Sequence, residues 1–212
     1  MTTPLSADFD PFAHFQQLYQ QDADPWKVRQ RWYEQRKRAI LLACLPQQRY
    51  RNAFEPACGN GELTAALAQR AERLLASDLS PEAVALTRRR MQREAPSDAA
   101  RVTIRQQRMP QEWPADESFD LIVISEMAYY LDEQDLLRLR QCCVEGLADG
   151  GTLLMCHWRP PFADRRLNTD SVHTVFDATP GLNRLLRHSE DDFLLDVWSA
   201  SASSVAQREG MA

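Results

Sequence analysis

No stretch of the 212 residues approaches the roughly 20 consecutive apolar residues that a membrane-spanning helix needs. The opening MTTPLSADFDPF has neither a basic start nor an apolar run, so neither a membrane anchor nor a leader is expected. Basic charge is not in excess either: 25 Lys and Arg stand against 30 Asp and Glu, a net charge of -5. Tight duplex binding relies on neutralising phosphates with Lys and Arg, so no nucleic-acid partner is expected. The five cysteines (Cys44, Cys58, Cys142, Cys143, Cys156) include no C-x-x-C pair and lie in apolar segments, which reads as reduced core residues of a soluble cytoplasmic protein. No acid and His spacing stands out as a metal site, and no internal repeat is visible. What is present is an ordinary globular composition, 44% hydrophobic and 26% charged, over a length that suits one domain spanning residues 1–212.

The stretch with most chemical content is NAFEPACGNGE, Asn52 to Glu62. A short apolar approach ends in the acid Glu55. Ala57-Cys58-Gly59-Asn60-Gly61 then turns the chain into the helical pattern Leu63, Ala66, Leu67. This is a strand, a tight small-residue turn and a helix start, whose backbone amides and helix dipole can hold a ligand. About 20 residues further on, Leu74 to Ser77 reads as a second strand ending in Asp78, where this architecture sets a carboxylate against two ribose hydroxyls. A dinucleotide fingerprint needs a third glycine for close helix packing, and Glu62 stands there instead. Its bulk and charge argue against a pyrophosphate, hence against NAD and FAD. A nucleoside ligand with an ammonium group and no phosphate, S-adenosyl-L-methionine, suits Glu55 and the turn better. Ala57 is expected to be tolerated provided that its φ is negative.

The remaining chain alternates strand and helix signals. Pro11 to Leu45 carries two helical patterns broken at Asp24-Pro25, with a helix expected from about Pro25 to Leu45. Its basic and aromatic residues, Trp26 to Arg38, suit either a solvated face docked by aromatics or a lid over the ligand, so residues 11–45 form a cap on a core of 50–199. Ser80-Pro81-Glu82 starts a helix to about Glu94, in which Arg88 to Arg90 reads as a solvated cluster. Val102 and Ile104 alternate with polar residues as a third strand. Phe119 to Ile124 is a continuous apolar run, the mark of a central parallel strand buried on both faces. It ends in Ser125-Glu126-Met127-Ala128-Tyr129-Tyr130-Leu131, and a carboxylate at such a strand end faces the ligand crevice. At least one of Tyr129 and Tyr130 is expected to line it. Asp132 and Asp135 open a helix with a stripe of Leu136, Leu137, Leu139, Cys143, Val144 and Leu147. Asp149-Gly150-Gly151 ends it, and Thr152 to Cys156 is a fifth strand running out into His157-Trp158-Arg159, beside the same crevice. A helical piece from about Thr169 precedes two apolar stretches, Leu182 to Leu186 and Phe193 to Trp198, the last expected to insert antiparallel. Residues 200–212 read as a frayed tail. The sum is an α/β fold, a Rossmann-like doubly wound sheet of seven strands, mostly parallel, with helices on both faces.

E-P-A-C-G-N-G followed by Asp78 resembles the first two motifs of the class I S-adenosylmethionine-dependent methyltransferases, with Ala57 for the usual first glycine. S-E-x-x-Y-Y-L at Ser125, H-W-R at His157, Asp170 to His173 and Asp192 to Trp198 look like the nodulation-protein-S family of methyltransferases, from about Phe12 to Trp198. The resemblance implies a cofactor site of Glu55, Ala57, Cys58, Gly59, Gly61, Asp78, Leu79, Arg108, Met109 and Ser125. Family members commonly carry an acid for the adenine amino group where this chain has Arg108, which cannot accept a hydrogen bond, so backbone groups of Arg108 and Met109 are expected to serve. It further implies Glu126 as the residue that orients or deprotonates an acceptor amine, with His157 or His173 as alternative bases, and Tyr129, Tyr130, Trp158, Arg159 and Asp170 as acceptor contacts. The acceptor implied is a small molecule, with the free amine of a deacetylated chitooligosaccharide as the family precedent. An O-methyltransferase and a non-catalytic S-adenosylmethionine-binding protein remain open on the sequence, as do a monomer and a homodimer. A base amino-methyltransferase does not fit, because the segment Ser125 to Tyr130 lacks the Asn/Asp-Pro-Pro-aromatic loop.

Overall fold

The structure is a computed structural model that describes residues 10–211, so Met1 to Phe9, which make up most of the opening segment, and Ala212 lie outside the described residues. Seven strands form one sheet in the order β3-β2-β1-β4-β5-β7-β6 among the described residues. β1 (Ala53–Pro56), β2 (Leu74–Asp78), β3 (Val102–Gln106), β4 (Phe119–Ser125) and β5 (Leu147–Trp158) pair in parallel. The last strand, β7 (Phe193–Ser199), inserts antiparallel between β5 and β6 (Asn183–Ser189), as the sequence predicts. Strand order reverses between β1 and β4, and in such sheets the ligand crevice opens at the carboxyl ends of the strands on either side of that reversal.

Alternation along the central strand explains the two cores. Leu121 and Val123 of β4 point into one cluster with Leu41, Leu67 and Met91, whereas Ile122 and Ile124 point into the other with Leu136, Leu139, Val172 and Phe176. Helices therefore cover both faces. α2 (Trp32–Ala43), α3 (Glu62–Ala68) and α4 (Pro81–Glu94) lie over the first, and α6 (Glu133–Gly146) and α7 (Thr169–Asp177) over the second, with α5 (Pro96–Ala99) a single turn before β3. Each fully buried aliphatic side chain contributes about 1.5–3 kcal/mol, so the strand ends are held on a rigid platform. Among the described residues no helix is long and apolar enough to cross a membrane.

Several local expectations are corrected. α1 (Pro11–Gln21) forms, capped by Asp10, but the second N-terminal helix begins at Trp32 and not near Pro25. Asp24 does cap, accepting from the amides of Val28 and Arg29, and it closes a turn that Lys27, at φ 59°, prevents from growing into a helix. Arg90 is buried, not solvated like Arg88 and Arg89. Leu137 and Val144 of the α6 stripe are exposed, and that helix passes straight into β5 at Leu147, ahead of the Gly150-Gly151 pair. The tail carries α8 (Val205–Arg208), closed by a Ser204/Gln207 capping box and tied by Arg208 to the Ser199 hydroxyl at 3.1 Å.

Candidate active site

The turn after β1 is built from three left-handed residues: Ala57 at φ 57°, Gly59 at 58° and Gly61 at 81°. The negative φ expected at Ala57 is not found, so this alanine holds a conformation that costs an L-residue about 1–2 kcal/mol. A side chain on Gly61 would meet Thr87 at 2.9–3.1 Å, and one on Gly59 would meet the Tyr19 hydroxyl at 2.7 Å. Asp78 ends β2 beside the turn, its Oδ2 accepting from the Gly59 amide and its Oδ1 from the Ser80 amide, each at 2.9 Å. Burial pushes the Asp78 carboxyl up to about 6, against the lowering effect of those amides. Glu55 lies deeper. Burial, opposed by the nearby Thr64 hydroxyl and reinforced by Asp78, raises it to about 8, and its Oε2 has no partner among the described residues.

A cleft of about 770 Å³ opens over this turn. Of the expected cofactor residues, Ala57, Cys58, Gly59, Asp78, Leu79, Arg108, Met109 and Ser125 line it. Glu55 and Gly61 are not among the residues that line it; Glu55 is buried at the end of β1. Of the expected acceptor residues Tyr129, Tyr130 and Trp158 line the cleft, whereas Arg159 and Asp170 do not: they pair with each other at 3.1 Å outside it.

Glu126 is where the sequence places it, at the end of β4 in the cleft wall, and it too is left-handed at φ 55°. Its Oε1 accepts from Lys37 Nζ at 2.6 Å, and its Oε2 from the Tyr129 hydroxyl and from the Trp158 amide at 2.9 Å. Lys37 also reaches Glu34 Oε2 at 3.0 Å and lies 5.2 Å from the centre of the Tyr33 ring. Burial works against the Lys37 charge, but Glu126 and Glu34 outweigh it and raise its pKa above the ordinary value. The cleft thus holds a full ammonium, ionised and bound to carboxylates.

His157 and His173 are corrected as candidate bases. Side chains alternate along β5, so Cys156 faces the α2 side while His157 turns to the opposite core, beneath α7. His157 Nε2 meets the Ala128 amide at 3.2 Å, its Nδ1 meets His173 Nε2 at 3.0 Å, and His173 Nδ1 meets Asp196 Oδ2 at 2.7 Å. Arg187 grips both Asp196 oxygens at 2.7 and 2.8 Å. Both rings are fully buried off the cleft, and burial, with His173 and Lys37 nearby, drives the His157 pKa well down. Neither can touch an acceptor.

Other cleft residues carried no motif to announce them. Gln107, just past β3, presents a buried Oε1 with no partner among the described residues, while its Nε2 donates to the Glu112 carbonyl at 3.0 Å. Glu34 and Lys37 are hidden within a run of charged helix residues, and Phe162 lies in an unremarkable loop, edge-on to Tyr129 at 5.1 Å. Glu62 lies on the wall, but three guanidiniums offset its charge: Arg90 at 2.8 Å, Arg38 at 3.4 Å and Arg29 at 3.8 Å. In the folded chain Glu62 therefore opposes a pyrophosphate by its bulk more than by its charge.

A seven-stranded sheet of this order, with its cleft at the strand-order reversal and an acid closing β2, is the fold of the class I methyltransferases. Within that class the chain belongs to the nodulation protein S (NodS) family, whose model matches residues 13–165. It is 35% identical over 156 residues to nodulation protein S of Rhizobium tropici, covering 72% of this chain and 62% of that relative. The chain therefore spans somewhat less than two thirds of that relative's length. A solved Pseudomonas syringae protein described as a methyltransferase is 48% identical, with a TM-score of 0.69 over 80% of this chain and 99% of that one. The N-methyltransferase NodS of Bradyrhizobium japonicum, solved with S-adenosyl-L-homocysteine, shares the fold at 24% identity and a TM-score of 0.76, over 87% of this chain and 97% of that one.

Proposed function

We propose that the protein is an S-adenosylmethionine-dependent methyltransferase that N-methylates a small-molecule amine, with an amino sugar as the acceptor class. The observation that carries this reading is Glu126, a carboxylate at the end of the central strand facing the same cleft as Asp78 and the Ala57–Gly61 turn. The residues present fit the cofactor. Asp78 stands where the ribose diol of a nucleoside is held in this fold, and Gln107 Oε1, without a partner among the described residues, is a built acceptor for an adenine amino group. Leu79 and Met109 supply apolar walls, and Tyr19 covers the turn from α1.

When bound, the cofactor supplies an electrophilic methyl group. The chain must align the nucleophile at about 3–3.5 Å and exclude water. Phe15 and Tyr130, edge-on at 4.9 Å, close the acceptor side from α1 and from the turn after β4. An ionised carboxylate offers about four acceptor sites, and Glu126 uses three, on Lys37, Tyr129 and Trp158. The remaining lone pair orients an amine N–H, and the carboxylate offsets the positive charge that grows on the nitrogen. With three of its acceptor sites already filled by the chain's own donors, orientation is the contribution of Glu126. The five free cysteines support a reducing, cytoplasmic setting.

The test is calorimetry with S-adenosylmethionine and with NAD, on wild type and Asp78→Ala, followed by transfer of labelled methyl to amine and hydroxyl panels. Micromolar binding of the sulfonium alone, lost in the variant, and transfer to amino sugars are expected. Preference for NAD would overturn the cofactor reading, and transfer only to hydroxyls would overturn the acceptor reading.

A further inference from the structure

The buried chain that runs from Ala128 to Arg187 has only one consistent set of protons. A backbone N–H can only donate, so the Ala128 amide requires a lone pair on His157 Nε2. In a neutral ring the proton is then on Nδ1, which donates to His173 Nε2, and His173 Nδ1–H donates in turn to Asp196 Oδ2. Asp196 is bound to accept, because Arg187 donates to both of its oxygens. Reversing either tautomer would set two N–H groups face to face in a site that no water reaches.

Both partners in the first bond of this chain bear on one carboxylate. Ala128 opens the turn that carries Tyr129, and the Tyr129 hydroxyl donates to Glu126 Oε2. His157 is followed by Trp158, whose amide donates to that same oxygen. Two of the three donors that aim Glu126 are thus each one residue away from a group in the His157 to Ala128 bond. We propose that His157, His173 and Asp196 are positioning residues, a tautomer-locked chain that fixes the carboxylate of Glu126 toward the acceptor. The proposal rests on the reading of Glu126 as the acceptor-orienting group.

The experiment uses the full chain. Long-range proton–nitrogen correlation of the imidazoles, tractable with four histidines, should show His157 and His173 both as Nδ1–H tautomers, the less common form in water. Turnover on a deacetylated chitooligosaccharide should fall about 10- to 100-fold in His157→Leu and Asp196→Asn, the scale of a small misplacement, with S-adenosyl-L-homocysteine affinity within about twofold of wild type. His157→Gln keeps an amide oxygen at the reach of Nε2 for the Ala128 amide and should retain more activity than His157→Asn, whose shorter side chain stops short of it. This comparison stands even if His157→Leu fails to fold. Either histidine found as Nε2–H or as imidazolium would overturn the proposal, as would equal activity of the Gln and Asn variants. A wild type inactive on every amine would instead fail the acceptor reading, and the tautomers would still decide this one.

Discussion

Lys37 on the N-terminal helix and Glu126 at the end of the central strand, 89 residues apart in sequence, meet at 2.6 Å inside the cleft. The pair joins the cap to the acceptor wall, so each residue's variant should report on the other. Lys37→Met strands two carboxylates, Glu34 and Glu126, and should cost about 1–3 kcal/mol, discounted from the buried-pair range because Glu126 is partly open to solvent. Glu126→Gln should lower turnover about 10²-fold with cofactor affinity nearly unchanged. In urea melts the double variant should lose less than the two singles summed. Strict additivity would mean that the contact is idle.

Cofactor binding should weaken on acidification. Asp78 is held up to about 6 by burial, and only its ionised form offers both oxygens as acceptors to a diol. Affinity measured by calorimetry should be level above that value and fall, toward tenfold per unit, below it. A flat profile from pH 8 to 5 would show that Asp78 does not touch the ligand.

Glu55 gives a stability prediction of definite sign. Its carboxyl titrates near 8 when folded and near 4.5 when unfolded, so the folded state binds the proton more tightly. That stabilisation is present below the unfolded value and is lost as pH rises through 8. Glu55→Gln, which stays neutral, should match wild type in denaturant melts at pH 5 and exceed it by a few kcal/mol at pH 9. The opposite ordering would mean that Glu55 is ionised and paired in the fold.

The turn itself is testable at two positions. Ala57→Gly removes the left-handed strain and should stabilise by about 0.5–1 kcal/mol, whereas Gly61→Ala combines a φ of 81° with contacts to Thr87 at 2.9–3.1 Å. Thr87 cannot step aside freely, since its hydroxyl donates to the Gly59 carbonyl at 2.9 Å. Gly61→Ala should cost about 2 kcal/mol or more in urea melts and weaken cofactor binding with it. Unchanged affinity would detach the turn from the ligand.

Much of this site was legible because strand ends have few degrees of freedom. A continuous apolar run fixes a buried strand, and the residues just beyond its end must emerge at the crevice, which located Glu126, Tyr129 and Trp158. The two histidines misled for a related reason. His157 lies one position before Trp158, and one step along a strand changes the face, so an error of a single residue in register exchanges cleft for core. Lys37 was invisible because a helical run of mixed charges does not say which member points inward. At Ala57 the condition set on the sequence, a negative φ, fails at 57°, because the sign of a turn residue's φ is fixed by the turn and not by the residue's own type.

The reversal of strand order between β1 and β4 also divides the chain along its length. Nearly all the residues proposed to face the cofactor precede Pro110, while Glu126, Tyr129, Tyr130, Trp158 and the buried histidine chain all follow Phe119. β1 and β4 share a ladder of only two residue pairs, Ala53 with Leu121 and Phe54 with Ile122. The seam in the chain is the loop between β3 and β4: everything beyond it carries Glu126, Tyr129, Trp158 and the buried histidines together, while Lys37, the third donor on Glu126, stays in the other half. Any exchange of the second half at that seam must therefore fit its strand-end carboxylate to the lysine already waiting on α2.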